Sequence, residues 1–448
     1  GLCIGWAAPM IPRLMSKDSH IPMTSDEISW LVSILSAGCI GGVILLLFMT
    51  KSSGRKLIMI ITSIINIISW ILVIFATTIE VLYVSRFLFG VAIVLSFAIV
   101  PTYLTEISEV TIRGILSSLP QLFFNIGAVI EYCTIPYVSY TLVGVISIVF
   151  PIISLIILMF IPESPYFLIY TGRETEAEKS LMKLRGKSKR EDILEELTSI
   201  KKVAEESKNI KTAPIKDIFL IRSNRRGLII VLVLVGLQQF CGQLAVISYT
   251  TQIFENTSSS LNADMSVIIL GCVQTMASII MSSVVDRLGR RPLLLSSISG
   301  LTISCLLMGI YFYLDYNTDY DLSPVFWLPI TSIILYMSSF CLALGILPYT
   351  ILGEIMPMNV KGLTASIAFM LHALTGLLMT KLFQIMTDEI GPDSPFWLFF
   401  AFNVAGTIFT YFYLPETMKK TFTEIYQELN DDSYPRNIKR VKEFPEIG

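Results

Sequence analysis

Apolar residues along this chain gather in long runs rather than alternating with polar ones. Twelve runs stand out, at 1–14, 28–49, 57–76, 81–100, 117–138, 141–161, 228–250, 265–285, 293–313, 325–351, 363–386 and 395–414. About twenty apolar residues cross a ~30 Å hydrocarbon core as an α-helix. Every run but the first meets that length, so the pattern predicts an all-α protein that crosses a bilayer repeatedly. The first run is too short, and the chain opens on Gly1 rather than Met. It reads as the distal part of a first membrane helix whose start is missing. It lacks the basic start and small-residue cleavage site of a signal peptide.

The polar stretches between the runs set the orientation. Lys and Arg occur at Lys51, Arg55 and Lys56, densely from Arg173 to Arg226, at Arg287, Arg290 and Arg291, and in the tail. The intervening loops at 77–80, 139–140, 255–264, 314–324 and 387–394 carry neither residue. Only Lys17, in loop 15–27, breaks the alternation. The positive-inside rule places the basic set in the cytoplasm, with both chain ends there. Asn256 opens the one N-x-S/T sequon in an outward loop and is a candidate for glycosylation.

The long loop divides the runs six and six. The expected organisation is an amino-terminal six-helix bundle at 1–161, a cytoplasmic loop at 162–227, a carboxy-terminal six-helix bundle at 228–417 and a cytoplasmic tail at 418–448. Within the loop, Ala177, Leu181 and Leu184 share one helical face, as do Ile193, Leu197, Ile200 and Ala204. Short amphipathic helices under the membrane domain are therefore expected there.

Composition narrows the classes. Only 15% of the 448 residues are charged and 53% are hydrophobic, against roughly 25% charged in soluble domains. Mean hydropathy is +0.69. A net charge of −2 supplies no basic field for a nucleic acid. The seven cysteines sit in apolar runs without CxxC spacing, and His20 and His372 are the only histidines. No metal or other cofactor is expected. No catalytic constellation and no P-loop occur, so neither an enzyme nor an ATP-driven pump is indicated.

The two halves echo each other. Gly54-Arg55-Lys56 follows the second run, and Gly289-Arg290-Arg291 follows the eighth. Glu106 and Arg113 follow the fourth, and Glu354 and Lys361 follow the tenth at the same spacing. Pro162-Glu163-Ser164 ends the sixth, and Pro415-Glu416-Thr417 ends the twelfth. Duplication of this kind marks a transporter built as two bundles, with a substrate site near the midplane.

The chain resembles the sugar porter family of the major facilitator superfamily. The resemblance rests on Arg86-Phe87-Leu88-Phe89-Gly90, Pro101-x-Tyr103-x-x-Glu106, Arg113-Gly114 with Gln121, and Pro162-Glu163-Ser164-Pro165. It continues through Gln238-Gln239-Phe240-x-Gly242, Asp286-Arg287-Leu288-Gly289-Arg290-Arg291 and Pro415-Glu416-Thr417. It implies the major facilitator fold and alternating access. The implied activity is facilitative passage of a small neutral sugar by a plasma-membrane carrier, expected to act as a monomer. A short first outer loop and Gly5-Trp6 resemble the trehalose-carrying branch. A sensor that binds sugar without turnover and a proton-coupled symporter are the alternatives.

Candidate chemistry follows. Neutral amides lie inside the membrane runs, and an amide donates and accepts as a hydroxyl does. The resemblance assigns substrate contacts to Gln121, Gln238, Gln239 and Gln274, with Tyr349 and His372 beside them. It assigns gating to Tyr249 and to the helix interruption at Gly345 and Pro348. Glu106, Arg113, Glu163, Asp286, Arg290, Arg291, Glu354, Lys361 and Glu416 match the family's cytoplasmic charge network, whose implied role is to tie the bundles together. Several positions depart from the family. Ala7 replaces the acid of proton-coupled members. Lys51 replaces an Asp, which is expected to weaken cytoplasmic closure. Leu244, His372-Ala373 and Tyr166 replace the usual Asn, Asn-Trp and Arg. Without the acid at position 7, Arg86 needs another partner, and Glu131 is the expected one.

Overall fold

The computed structural model describes residues 1–49, 53–109, 113–186, 193–209, 215–255, 263–418, 420 and 422–430. Each of the twelve apolar runs is helical. Among the described residues, ten helices are long and apolar enough to cross a membrane. The chain divides into two compact units. One comprises Gly1–Lys211, Ile247–Gln252 and Ala263–Gly271; the other comprises Thr212–Val246, Ile253–Asn262 and Cys272–Gly448.

In the first unit the chain forms α1 (Leu2–Gly5), α2 (Ala7–Met15), α3 (Ser25–Met49), α4 (Arg55–Ile74), α5 (Ile79–Ile107), α6 (Arg113–Thr134) and α7 (Tyr140–Phe160). A capping box starts α3. The Glu27 carboxylate accepts from the Thr24 amide at 2.7 Å, while Thr24 Oγ1 accepts from the Glu27 amide at 3.4 Å. α3 and α5 approach closely where Gly38 meets Gly90. A Cβ on Gly38 would lie 2.0 Å from the Phe87 carbonyl oxygen, so a larger residue has no room. α7 shows the inside-out character of a membrane helix. Only 22% of its most apolar stretch is buried, and Val149, Ile153, Ile156 and Ile157 face outward.

The loop is helical over most of its described residues. It forms α8 (Pro165–Tyr170), α9 (Glu174–Arg185) and α10 (Leu194–Asn209). Ser164 caps α8 by accepting from the Phe167 amide at 3.3 Å, with Pro165 in the first helical position. Ala177 and Leu181 of α9 and Leu197 and Ile200 of α10 join Leu168, Ile169 and Ile193 in one buried apolar cluster. Tyr166, one of the family departures, packs against it. Arg185 fastens this platform to the end of α5. Its Nη1 donates to the Ile107 carbonyl at 2.9 Å, and its Nη2 pairs with Glu196 at 2.5 Å. The Glu196 bond holds the guanidinium above its ordinary pKa.

The second unit contains α11 (Ile215–Leu220), α12 (Arg222–Phe240), most of α14 (Ala263–Leu288), α15 (Arg290–Asn317), α16 (Leu328–Ser339), α17 (Leu347–Ile355), α18 (Met358–Glu389), α19 (Ser394–Tyr413) and α20 (Phe422–Asn430). α13 (Gln243–Glu255) contributes to both units. Two breaks shape this unit. α12 gives way to α13 at Gly242, whose φ of 89° suits glycine and whose absent Cβ leaves room for the Phe399 ring 2.2 Å from that position. Between α16 and α17 the backbone widens into a π turn at Phe340–Leu344. Ser297 repairs that turn. Its Oγ donates to the Ser339 carbonyl at 2.6 Å and accepts from the Leu344 amide at 3.2 Å.

Candidate functional site

The second break prepares a polar cluster. Pro348 sits in the first turn of α17 and has no N–H. In a continuous helix the Leu344 carbonyl would accept from that position. Gln238 of α12 supplies the missing donor: its Nε2 lies 2.7 Å from the Leu344 oxygen and 3.2 Å from the Gly345 oxygen. Gln238 is 2% exposed, and its Oε1 has no protein partner. Leaving such an atom unpaired costs about 1–3 kcal/mol, which marks it as an acceptor for something else.

Gln239 adds a second unit of the same chemistry. Its Nε2 lies 2.8 Å from Nε2 of His372 on α18. Gln239 Oε1 and His372 Nδ1 are buried without partners. Tyr349 stacks on Phe369 with centroids 4.8 Å apart and tilts toward His372 at 6.2 Å. Gln274 of α14 is buried in the same unit, and its backbone carbonyl accepts from Ser278 Oγ at 3.0 Å. The structure therefore gathers Gln238, Gln239, Gly345, Pro348, Tyr349 and His372 around one broken helix. The hydrogen-bonding side chains among them are uncharged amides, an imidazole and a phenol.

The first unit carries the remaining polar candidates. Gln121 donates to Asn125 at 3.3 Å, one turn along α6. Tyr249, in the part of α13 that belongs to this unit, is fully buried. The expected pairing of Arg86 with Glu131 does not form. Arg86 Nη1 donates to the Cys3 carbonyl at 2.5 Å, and its guanidinium lies over the Trp6 ring at 5.4 Å. Glu131 instead accepts from Ser147 Oγ at 2.5 Å. A backbone carbonyl and an aromatic face engage the cation without a carboxylate, and Arg86 Nε and Glu131 Oε2 are left without hydrogen-bond partners among the described residues.

The charge network resolves into two copies of one motif. In the first unit, Arg55 Nη2 pairs with Glu106 at 3.1 Å. Glu163 accepts from the Lys56 amide at 3.1 Å and from the Ser164 amide at 2.9 Å. In the second unit, Arg290 Nη2 pairs with Glu354 at 3.2 Å. Glu416 accepts from the amides of Arg290, Arg291, Thr417 and Met418 at 3.0, 3.1, 3.0 and 2.9 Å. A carboxylate thus sits on the amino terminus of α4 and another on that of α15, where the free N–H groups favour negative charge. Each of these bonds lies within one unit. Arg291 Nη2 goes to the Tyr411 carbonyl at 2.5 Å, and Lys361 donates to the Gly353 carbonyl at 2.9 Å rather than to a carboxylate.

Some sequence-based candidates escape description. Arg113 starts α6 and Asp286 lies in α14, but their side chains are outside the described set, as are Lys51 and Asn256 altogether. Conversely, two network members were not among the candidates. Arg55 is signalled by the repeat, which aligns it with Arg290. Thr417, whose Oγ1 donates to Glu354 at 2.5 Å, is signalled by the repeat as well, which aligns it with Ser164.

With this geometry in view, comparison with known proteins places the chain. The profile of the family described as "Sugar (and other) transporter" matches residues 4–429. The chain belongs to that family. A facilitated trehalose transporter, Tret1, from Polypedilum vanderplanki is 34% identical over 432 residues, covering 96% of this chain and 85% of the relative. The Tret1 of Drosophila mojavensis is 33% identical over 96% of this chain and 50% of its own length. The chain spans about half the length of several such relatives. Among solved structures, an inward-open conformation of the E. coli xylose transporter XylE superposes with a TM-score of 0.77 at 20% identity, covering 95% of this chain and 96% of that one. A second XylE structure, described as a major facilitator superfamily proton:xylose symporter, gives 0.75 at 20% identity over 95% and 96% of the two chains. The fold is therefore that of the major facilitator superfamily, and the protein is a multi-pass membrane protein.

Proposed function

We propose that the chain is a facilitative carrier of a neutral sugar, trehalose or a hexose, working by alternating access in the plasma membrane with both ends cytoplasmic. The observation that carries this reading is the neutral cluster of the second unit. It holds buried, unpartnered polar atoms on Gln238, Gln239 and His372, with the Tyr349 and Phe369 rings stacked beside them. Polyols match unpaired donors and acceptors with hydroxyls, and sugar rings pack against aromatic faces. A charged substrate would need an opposite charge there. Gln121 and Asn125 offer amides of the same kind in the first unit, and family membership supports the reading. The replacement of an acid by Ala7 favours movement down a gradient without proton coupling. Uptake of labelled trehalose, glucose, xylose and a charged control by cells expressing the protein tests it. Saturable uptake of at least one neutral sugar, and none of the charged control, is expected. Saturable sugar binding with no uptake would identify a sensor instead.

A further inference from the structure

Three elements of the first unit meet where α7 ends. Lys56, in the first turn of α4, donates from its ammonium to the Met159 carbonyl at 3.1 Å, and Lys183 of α9 donates to the Phe160 carbonyl at 2.7 Å. Two cations thus stand on neighbouring carbonyls in the last turn of α7. The carboxy terminus of a helix carries a partial negative charge of about half an elementary charge, which answers one cation and leaves the second in excess. Each ammonium has three protons and uses one on its carbonyl. Glu163, just past the same end of α7, is engaged by the backbone amides of Lys56 and Ser164 rather than by either ammonium.

The surroundings of this pair are apolar and face outward. Met159 is 67% exposed and Phe160 72%, and Leu57 is exposed beside Lys56. One and two turns earlier on α7, Ile157, Ile156 and Ile153 are exposed as well. A free phosphate gains nothing from such a surface. A phospholipid does, because its headgroup offers charge and acceptor oxygens to the ammonium groups while its acyl chains cover the apolar side chains. The second half treats the same place differently. Arg291 stands where Lys56 does in the repeat, and its guanidinium lies on the Tyr411 carbonyl and ring.

We propose that the carboxy end of α7 binds one anionic phospholipid, its phosphate bridging the Lys56 and Lys183 ammonium groups and its acyl chains lying on the outward face of α7. A zwitterionic lipid fits less well, because its phosphate is already countered by its own ammonium. The bridging phosphate joins α4 to the platform helix α9, which the two lysines otherwise link only through α7. The inference stands apart from the sugar-carrier reading and takes from it only the leaflet, the cytoplasmic one.

Native mass spectrometry of the purified full chain in detergent tests this, with phosphatidylglycerol and phosphatidylcholine of the same chain length as probes. One phosphatidylglycerol should be retained at concentrations where phosphatidylcholine is not. Lys56→Gln and Lys183→Gln should each weaken retention about fivefold, the effect of one lysine near an anionic headgroup. Lys183→Arg should keep it. Lys202→Gln, at an exposed lysine of α10, should leave it unchanged. Millimolar inorganic phosphate or glycerol phosphate should not displace the lipid.

Equal retention of the two lipids by the unaltered protein would overturn the proposal, whatever the variants do. Full retention in both Gln variants would do the same and leave the lysines as caps of α7. An equal loss in Lys202→Gln would mean diffuse charge instead of a site, and displacement by inorganic phosphate would mark a soluble-anion site. Sugar uptake enters none of these readouts, so the carrier reading stands or falls separately.

Discussion

The same four-residue device stands at the end of both halves, and the two copies are not equally complete. In the second unit, Glu416 receives four backbone N–H groups and Thr417 satisfies the second oxygen of Glu354. In the first, Glu163 receives the amides of Lys56 and Ser164, and Glu106 Oε2 is buried without a partner. The glycines differ as well. Gly289 has a φ of 84° that only glycine adopts at ease, with Glu416 Oε2 2.8 Å from the position a Cβ would take. Gly54 has an ordinary φ of −66° but lies so close to Glu163 that a Cβ would fall 2.0 Å from its Oε2. One copy is therefore held by backbone geometry and a saturated carboxylate. The other has fewer bonds to its carboxylates and an ordinary backbone at its glycine, which leaves it the looser of the two.

The largest effect should come from removing the carboxylates. Bonds to a charged group contribute about 1.5–3 kcal/mol each, with incomplete additivity. Glu416→Ala should lower stability in detergent by ~3 kcal/mol or more, and Glu163→Ala by roughly half of that. Melting temperatures of the two purified variants check the order. Equal losses would mean that the extra amides at Glu416 contribute nothing.

The glycines sharpen the same contrast. Gly289→Ala should cost about 1–3 kcal/mol through backbone strain. The backbone part of that strain is independent of the carboxylate, whereas the added Cβ also crowds Glu416 Oε2 at 2.8 Å, so the cost should add only in part to that of Glu416→Ala. Gly54→Ala acts by displacing Glu163, so once Glu163→Ala is present it should cost little more. Two double-mutant cycles read out the difference. Strong coupling at both sites, or at neither, would contradict the distinction.

A subtler contrast lies between two neighbours in the second unit. Gln238→Leu strands the carbonyls of Leu344 and Gly345, so it should reduce folded protein as well as sugar affinity. Gln239→Leu leaves the broken helix intact and should raise KM severalfold at unchanged surface expression. Uptake kinetics alongside surface labelling separate the two. Normal folding of Gln238→Leu would show that its amide is not needed at the break.

Much of this was legible in the sequence, for physical reasons. Length and apolarity settle a membrane helix almost by themselves, and the Ala177 and Leu197 faces announced the platform cluster through their spacing. The repeat exposed the paired loop motif because backbone geometry ties a Gly, an Arg and a Glu to fixed places. Partner choice was less legible. Arg86 and Glu131 look complementary as lone charges in a membrane, yet local carbonyl, ring and hydroxyl groups serve them separately. The structural duty of Gln238 depends on which carbonyl Pro348 leaves free, a three-dimensional matter. The Gln239–His372 bond joins α12 to α18 across 133 positions of sequence, and no local pattern encodes it.

Counterflow tests the central claim most directly. Cells or vesicles carrying the protein are preloaded with unlabelled sugar, diluted into tracer of the same sugar, and followed with and without a protonophore. A facilitative carrier predicts a transient overshoot of tracer that relaxes to equilibrium and is indifferent to the protonophore. Binding without any overshoot, or sustained accumulation that the protonophore abolishes, would contradict it.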